Sequence, residues 1–487
     1  MYRTRSLYTT AGFQVNQHLF WQMLSDDQSE AIVGRTFELL ERTGVDVLSA
    51  DALKVYTEAG CHVDGNRVRI PTAKSEWALR CAPSRVTLCD RNGNRAMLLE
   101  NNEAHWGPGY TAKEFIEQEQ NMDTNNSKIR PFTIADVEMY GKLCDALPNI
   151  SFAMPGGFPT DVDEATAEVQ VFKTLAKATK KPIVQNVKNA DQATKIFEMA
   201  AAIAGSAEKL AIDPFVALHV VVNEPLQISA EAADVVAFAA GHGLPIIVSN
   251  ELVSGFTAPA DSAGVLMVAL ANSIAALVLA QLTAEGASFI TGGFFTNNDT
   301  VNELHPYGSP EISLLGGGFA NVLRSLRIPS FGFAGGTDAK CSDAPLGLDV
   351  ARSTLCSGIA GTNVIHGAGN FESGNVSNPT VLVLADEIAC ETKRIMRGVE
   401  MDEDRLARGV IDEVKPAGNY LATKHTRYYF RSEQFWPTLM NRKRIDDWAA
   451  EGSLTLGERT VNKMNDLLVA YEQTPLPEGV DLDKIAG

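Results

Sequence analysis

From Asp136 onward the chain alternates short apolar runs with longer helical stretches, and no other feature limits its fold so tightly. The runs Ile150–Met154, Pro182–Val187, Val216–Val222, Pro245–Ser249, Ser288–Gly292, Ser330–Ala334, Asn363–His366 and Val381–Ala385 read as eight buried strands. Between most of them lie helical stretches, among them Ala165–Thr179, Ala190–Ile203, Ala230–His242 and Ala260–Ala284. This repetition predicts an α/β protein, a closed (β/α)8 TIM barrel, with a doubly wound open sheet as the alternative. No GxGxxG stands between the first strand and helix, which counts against a dinucleotide-binding sheet.

The barrel is expected over residues 131–390. Residues 1–130 read as a mixed α/β N-terminal cap: an amphipathic helix over Ser29–Thr43 stopped by Gly44, a second over Ala50–Ala59, and a strand Arg67–Ile70 ended by Pro71. Residues 391–487 read as a helical extension packed on the barrel, with helices near Arg394–Arg408, Arg442–Ala450 and Leu456–Glu472. The aromatics Tyr428, Tyr429, Phe430, Phe435 and Trp436 are expected to be buried and to anchor this tail. The apolar stretch Val265–Gln281 has nearly the length of a membrane span. It is split by Asn272-Ser273 and lacks flanking Lys or Arg, so it is read as a buried barrel helix.

Charge narrows the partners. A net charge of −18 argues against nucleic acids and anionic membranes, both of which require basic surfaces. The seven cysteines form no CxxC or Cys/His cluster and are expected to be reduced thiols. Met1–Phe20 has no continuous apolar core of a signal peptide, so a cytoplasmic protein is expected.

In a TIM barrel the chemistry sits at the C-terminal ends of the strands. From Phe331 to Glu387, three apolar segments end in Gly335-Gly336-Thr337-Asp338-Ala339-Lys340, in His366-Gly367-Ala368-Gly369 and in Asp386-Glu387. The other ends supply Phe158, Asn186, Glu224, Glu251 and Phe294-Phe295. The polar segment Glu100–Lys128 contains Trp106-Gly107-Pro108-Gly109-Tyr110 and the run Gln118-Glu119-Gln120. It reads either as a lid or aromatic wall, or as a surface loop held down by Trp106.

No HxH or HExxH occurs, so no catalytic metal is expected. Lys340 follows Asp338 by two residues, a spacing read as structural or orienting rather than as a Schiff-base nucleophile. What remains is a set of aromatics, Phe158, Phe256, Phe294, Phe295 and Phe371, among carboxylates, Glu224, Glu251 and Glu372. Aromatic faces with nearby carboxylates suit a cation such as a quaternary ammonium. The competing reading is a barrel lyase or hydrolase that uses Lys340 or His366 on a small anionic substrate.

The residues Ser254-Gly255-Phe256-Thr257-Ala258-Pro259, Gly308-Ser309-Pro310-Glu311, Gly336-Thr337-Asp338-Ala339-Lys340 and His366 through Gly374 resemble the trimethylamine methyltransferase superfamily. The resemblance continues through Asp386-Glu387-Ile388, Arg397-Gly398-Val399, Gly418-Asn419-Tyr420-Leu421 and His425-Thr426. It is to the non-pyrrolysine branch that includes betaine:corrinoid methyltransferases. It implies a TIM barrel, usually oligomeric, that moves a methyl group from a methylated amine to the Co(I) of a separate corrinoid protein, with no cofactor tightly bound to the barrel itself. The pyrrolysine-containing members carry that residue near the start of the motif reading Gly335-Gly336-Thr337-Asp338 here, and this chain has ordinary residues there. A quaternary ammonium has no lone pair for pyrrolysine to engage, so the implied substrate shifts from tertiary amines to betaines. On this view Phe158, Glu224, Glu251, Phe256, Phe294, Phe371 and Glu372 form the cage. His366, Asp338 and Lys340 orient the substrate carboxylate or shape the site.

Overall fold

The computed structural model describes residues 21–117 and 128–486; the sequence readings for Met1–Phe20 and for Gln118-Glu119-Gln120 lie outside them. Seven parallel strands form one sheet. In spatial order they are His105–Pro108, Val364–Ala368, Ser330–Phe333, Phe289–Asn297, Ile246–Ser254, Val216–Val222 and Ile183–Asn186. The segment 150–153 joins the two edges, with Ile150 bridging Trp106 and Ala153 bridging Ile183, which closes the barrel. Closure removes the exposed sheet edges that an open sheet would leave.

Two elements differ from the sequence reading. Val381–Ala385 is helical, part of Pro379–Met396, which starts with Pro379 at its first position and Asn378 capping the Thr380 N–H. The segment is apolar because it is buried between the barrel and neighbouring helices, a burial that suits a strand and an inner helix face equally. The remaining barrel strand is His105–Pro108, inside the stretch read as a lid or loop, so the barrel begins well ahead of residue 131. Its Gly107 is where a Cβ would strike the Phe152 ring, and its Pro108 stands at the strand end, where a missing N–H is tolerated.

The barrel interior is packed. Phe152, Met154, Val184, Ala217, Ile247, Ile290, Phe331 and Val364 form one cluster with Val86, Leu88, Met97 and Leu99 of the hairpin Val86–Cys89/Arg95–Leu99. The hairpin plugs the end where the strands begin, since Cys89 donates to Pro214 O at 2.8 Å, just before Val216. The opposite end stays available for chemistry. Helix Ser262–Thr283 is apolar on all sides and most of its residues are buried in the protein, where Ala275 O accepts from the Tyr56 hydroxyl at 2.7 Å.

The tail is tied down by polar contacts rather than aromatic ones. Glu387 accepts from Thr438 N at 2.7 Å and Leu439 N at 3.0 Å, and Arg394 and Arg397 both reach Glu433. Helix Lys424–Glu433 has no buried residue, and Tyr428 and Trp436 are 65% and 59% exposed. The expected burial of this aromatic group is therefore corrected: carboxylate and guanidinium pairs hold the segment while Tyr428, Phe430 and Trp436 face outward and Tyr429 and Phe435 are half-buried.

Candidate active site

Strand alternation sets the site. Side chains two residues apart share a face, so the inward Ala217, Ile247, Phe331 and Val364 are followed toward the mouth by His219, Ser249, Phe333 and His366. One step higher on the strand Ile246–Ser254 stands Glu251, paired in register with Phe294 of the adjacent strand. Phe333 and His366 are likewise register partners.

These side chains form two connected layers. In the lower one the His366 ring stacks on Phe331 at 4.4 Å and 11°, and His219 lies 5.1 Å from both Phe331 and Tyr110. In the upper one Phe294, Tyr307 and Phe333 contact one another, with ring centres 4.7, 4.8 and 5.0 Å apart. Phe333 touches His366 edge-on at 5.5 Å, linking the layers. Tyr110 donates its hydroxyl to Glu251 Oε1 at 2.5 Å and lies 5.7 Å from His366.

The electrostatics follow from burial. Desolvation pushes the Glu251 carboxyl above its ordinary value, against the hydrogen bond from Tyr110. Burial and then the Glu251 charge hold the Tyr110 and Tyr307 hydroxyls protonated. Burial lowers His366 to about 4, and lowers His219 to about 3 with help from His366, so both rings are neutral at pH 7. His366 Nδ1 faces Gly332 O at 2.8 Å and must carry the proton, which leaves Nε2 as an acceptor. His219 Nε2 meets Ser249 Oγ at 2.8 Å, and its Nδ1 is buried without a partner among the described residues.

Of the residues expected from the sequence, the structure brings together His366, Glu251 and Phe294. Asp338 lies beside them in another capacity. Its carboxylate accepts from Tyr307 N at 2.6 Å, Gly308 N at 2.8 Å and Ser373 Oγ at 2.8 Å, so it clamps three loop positions and sets the Tyr307 ring. Glu372 and Ser373 sit there at φ +50° and +54°, a left-handed pair that non-glycine residues rarely adopt.

The other expected residues lie apart from this group. Lys340 is exposed and donates to Asp338 O at 2.7 Å. Glu224 is exposed, and Phe256 is 73% exposed. Phe371 and Phe295 are buried in the main core, and the Phe158 ring lies under the Lys188 ammonium at 4.6 Å. Asp386 and Glu387 are buried on the helix Pro379–Met396, where they hold Asn149 and the tail.

The sequence reading did not single out Tyr307, Phe333 or His219 as site residues. Phe333 and His219 follow from the alternation that places Phe331 and Ala217 inside. Tyr307 comes from a loop and has no local signal. Gly336 is the counterpart of these rings: a Cβ there would fall 2.5 Å from Phe333 Cζ and 3.1 Å from Tyr307 Cδ2. At Gly335, φ is +83°. The backbone can pass here only without side chains.

Comparison with known proteins agrees with this architecture. Residues 3–484 match the family model described as trimethylamine methyltransferase (MTTB). The trimethylamine methyltransferase MttB of Desulfitobacterium hafniense is 30% identical over 94% of this chain and 91% of its own. The glycine betaine methyltransferase of the same species is 28% identical over 95% of each chain. Among solved structures, the hydroxylamine complex of MtmB superposes with a TM-score of 0.50 at 14% identity, covering 92% of this chain and 89% of that one, a likeness of fold. A closed barrel with an aromatic and carboxylate site at its mouth, matched along nearly its whole length, is a methyltransferase that belongs to the trimethylamine methyltransferase family.

Proposed function

We propose that this methyltransferase takes a methyl group from a quaternary amine of the betaine class and passes it to the Co(I) of a corrinoid carried by a separate protein, releasing the tertiary amine. The observation that supports this most is the Glu251 carboxylate set beside Phe294 within reach of Tyr110, Tyr307 and Phe333. Rings present negative π-faces to a cation, and a desolvated cation over such a face gains ~2 kcal/mol or more. A single carboxylate among them supplies the counter-charge.

The substrate class rests on how closely the rings crowd Gly336. Phe333 and Tyr307 pack against the motif near which the pyrrolysine branch places its long residue. An aromatic cage suits an ammonium with no lone pair. The relative named for glycine betaine supports the same direction.

The reaction asks for positioning more than proton chemistry. The carbon–nitrogen bond breaks with its electron pair staying on nitrogen, which leaves as a neutral amine, while the methyl carbon is taken by the nucleophilic Co(I) substrate. Glu251 and the rings hold the ammonium so that one methyl points out of the barrel mouth. Neutral His366 and His219 form the floor without repelling the cation, and the buried layer beneath them excludes water. Asp338 is a positioning residue that acts through Tyr307. Among the described residues no three His, Cys, Asp or Glu converge as a metal site, and no step here calls on one.

The test is thermal unfolding with a panel of quaternary and tertiary amines. A ligand that binds only the folded protein raises its melting temperature. Betaines are expected to stabilise the protein; stabilisation by tertiary amines alone would refute the substrate class.

A further inference from the structure

Helix Ala344–Ala360 turns one face toward two loops of the barrel mouth, and Asp349, Arg352 and Ser353, spaced i, i+3 and i+4, stand together on that face. The Arg352 guanidinium donates through Nη2 to Gly308 O and to Asp349 Oδ1, the latter at 3.1 Å. The second Asp349 oxygen accepts from Thr337 Oγ1 at 2.9 Å, and Ser353 Oγ accepts from Gly335 N at 3.0 Å. Gly308 follows Tyr307 in the chain, and Thr337 precedes Asp338. One helix face therefore grips both of the loops that meet where Tyr307 N donates to Asp338.

Packing agrees with the polar contacts. A Cβ on Gly308 would fall 2.4 Å from Asp349 Oδ2, so the carboxylate lies directly against the loop backbone. Thr337 is fully buried, and its Oγ1 also accepts from Ala339 N at 3.0 Å. Gly374 closes on the Tyr307 ring, where a Cβ would fall 2.4 Å from Cζ. The competing account is an ordinary surface ion pair, because Arg352 and Asp349 are three residues apart on one helix and the Arg352 side chain is 39% exposed. Such a pair contributes little by itself. Here the same Nη2 also reaches a carbonyl 44 residues earlier, a contact that pairing along the helix does not require. A hydrogen bond from a charged donor is roughly twice as strong as a neutral one.

We infer that Arg352, braced by Asp349, is a positioning residue for methyl-donor binding that acts through the Tyr307 ring. Asp338 holds the N–H of the peptide before the Gly308 Cα, and Arg352 holds the carbonyl of the peptide after it. With both peptides fixed, the loop presents Tyr307 to Phe294 and Phe333 in one orientation. The inference rests on the aromatic cage proposed above and adds what fixes one of its walls.

The test is a double-mutant cycle read by calorimetric titration of the full-length protein with glycine betaine and, separately, with trimethylamine. The variants are Arg352→Gln, Arg352→Lys, Tyr307→Leu and the combination of Arg352→Gln with Tyr307→Leu. Leucine fills space without a π-face, and Arg352 lies at the surface, so these proteins are expected to fold. Glycine betaine affinity is expected to fall about tenfold in Arg352→Gln, roughly the loss of one charge-assisted contact. Arg352→Lys, which keeps a cationic donor, is expected to recover part of that loss. In the Tyr307→Leu background, Arg352→Gln is expected to change affinity by less than about twofold, because an effect carried by the ring ends with the ring. A loss above about twofold in that background, unchanged affinity in Arg352→Gln or in Tyr307→Leu, or no recovery in Arg352→Lys would each overturn the inference. Binding of trimethylamine alone would refute the betaine reading, and the cycle is then scored with trimethylamine. A wild type that binds neither ligand at ~10 mM, far above ordinary metabolite affinities, would overturn both.

Discussion

Replacing Glu251 with Gln removes the counter-charge of the proposed cage and little else. The amide has nearly the same shape, and its oxygen can still accept the Tyr110 hydroxyl that now lies at 2.5 Å. The magnitude follows from Coulomb's law. A methylated ammonium keeps its nitrogen roughly 5 Å from a carboxylate, and at an effective dielectric near 20 that pair is worth about 3 kcal/mol. The variant should therefore bind a quaternary amine about two orders of magnitude more weakly. The pH dependence gives a second, independent reading. Burial raises the Glu251 carboxyl in the empty site, and a bound cation favours the ionised form, so binding releases a proton. Wild-type affinity should hold at high pH and weaken as pH falls through the raised carboxyl pKa; the Gln variant should show no such slope. The sign for stability is the reverse. With the site empty, the folded protein holds the Glu251 proton more tightly than the unfolded chain, so this group's contribution to stability declines as pH rises through the same window. Calorimetric titration at several pH values measures the affinities, and denaturant unfolding of the ligand-free protein over the same pH range measures the stability slope. Equal affinities, or the same pH slope in both proteins, would refute the assignment of Glu251.

Further outcomes follow from the loops and the tail. Gly336→Ala would drive a Cβ to 2.5 Å from Phe333 Cζ, so it should cost about 1–3 kcal/mol in denaturant unfolding and lower kcat/KM by displacing Phe333 and Tyr307. Asp338→Asn keeps one acceptor oxygen and sets its amide NH2 against the N–H of either Tyr307 or Gly308, and the loss of a charge-assisted bond should cost roughly 1.5–3 kcal/mol; an unchanged midpoint would contradict the clamp. The tail exposes the apolar side chains of Val399, Met401, Leu421, Tyr428, Trp436 and Ile445, and the prediction that they pair copies of the chain is open to test. Light scattering should give a mass above that of a monomer, reduced by combining Tyr428→Glu with Trp436→Glu.

What the sequence revealed and what it hid have physical reasons. The parallel strands were legible where both faces are buried, as in Val216–Val222 and Ser330–Phe333, because such runs are continuously apolar. The same continuity made Val381–Ala385 ambiguous, since an inner helix face in a crowded shell is equally apolar; Asn378-Pro379 just before it was the helix-start signal. His105–Pro108 escaped notice because Gly and Pro usually mark loops, yet here Gly107 makes room for Phe152 and Pro108 ends the strand. Among site residues, Glu251, Phe294 and His366 sit at or near strand ends and could be read directly. His219 and Phe333 required counting by twos from the core. Tyr307 depends on Asp338, which reaches it across a separation of 31 residues, and no local pattern encodes that contact.

The most direct test of methyl transfer from a quaternary amine is anaerobic incubation of the protein with a Co(I) corrinoid protein and either glycine betaine or trimethylamine, following the absorbance of the methylated corrinoid. The aromatic and carboxylate site predicts methylation with glycine betaine and little with trimethylamine. Methylation from trimethylamine alone would contradict it.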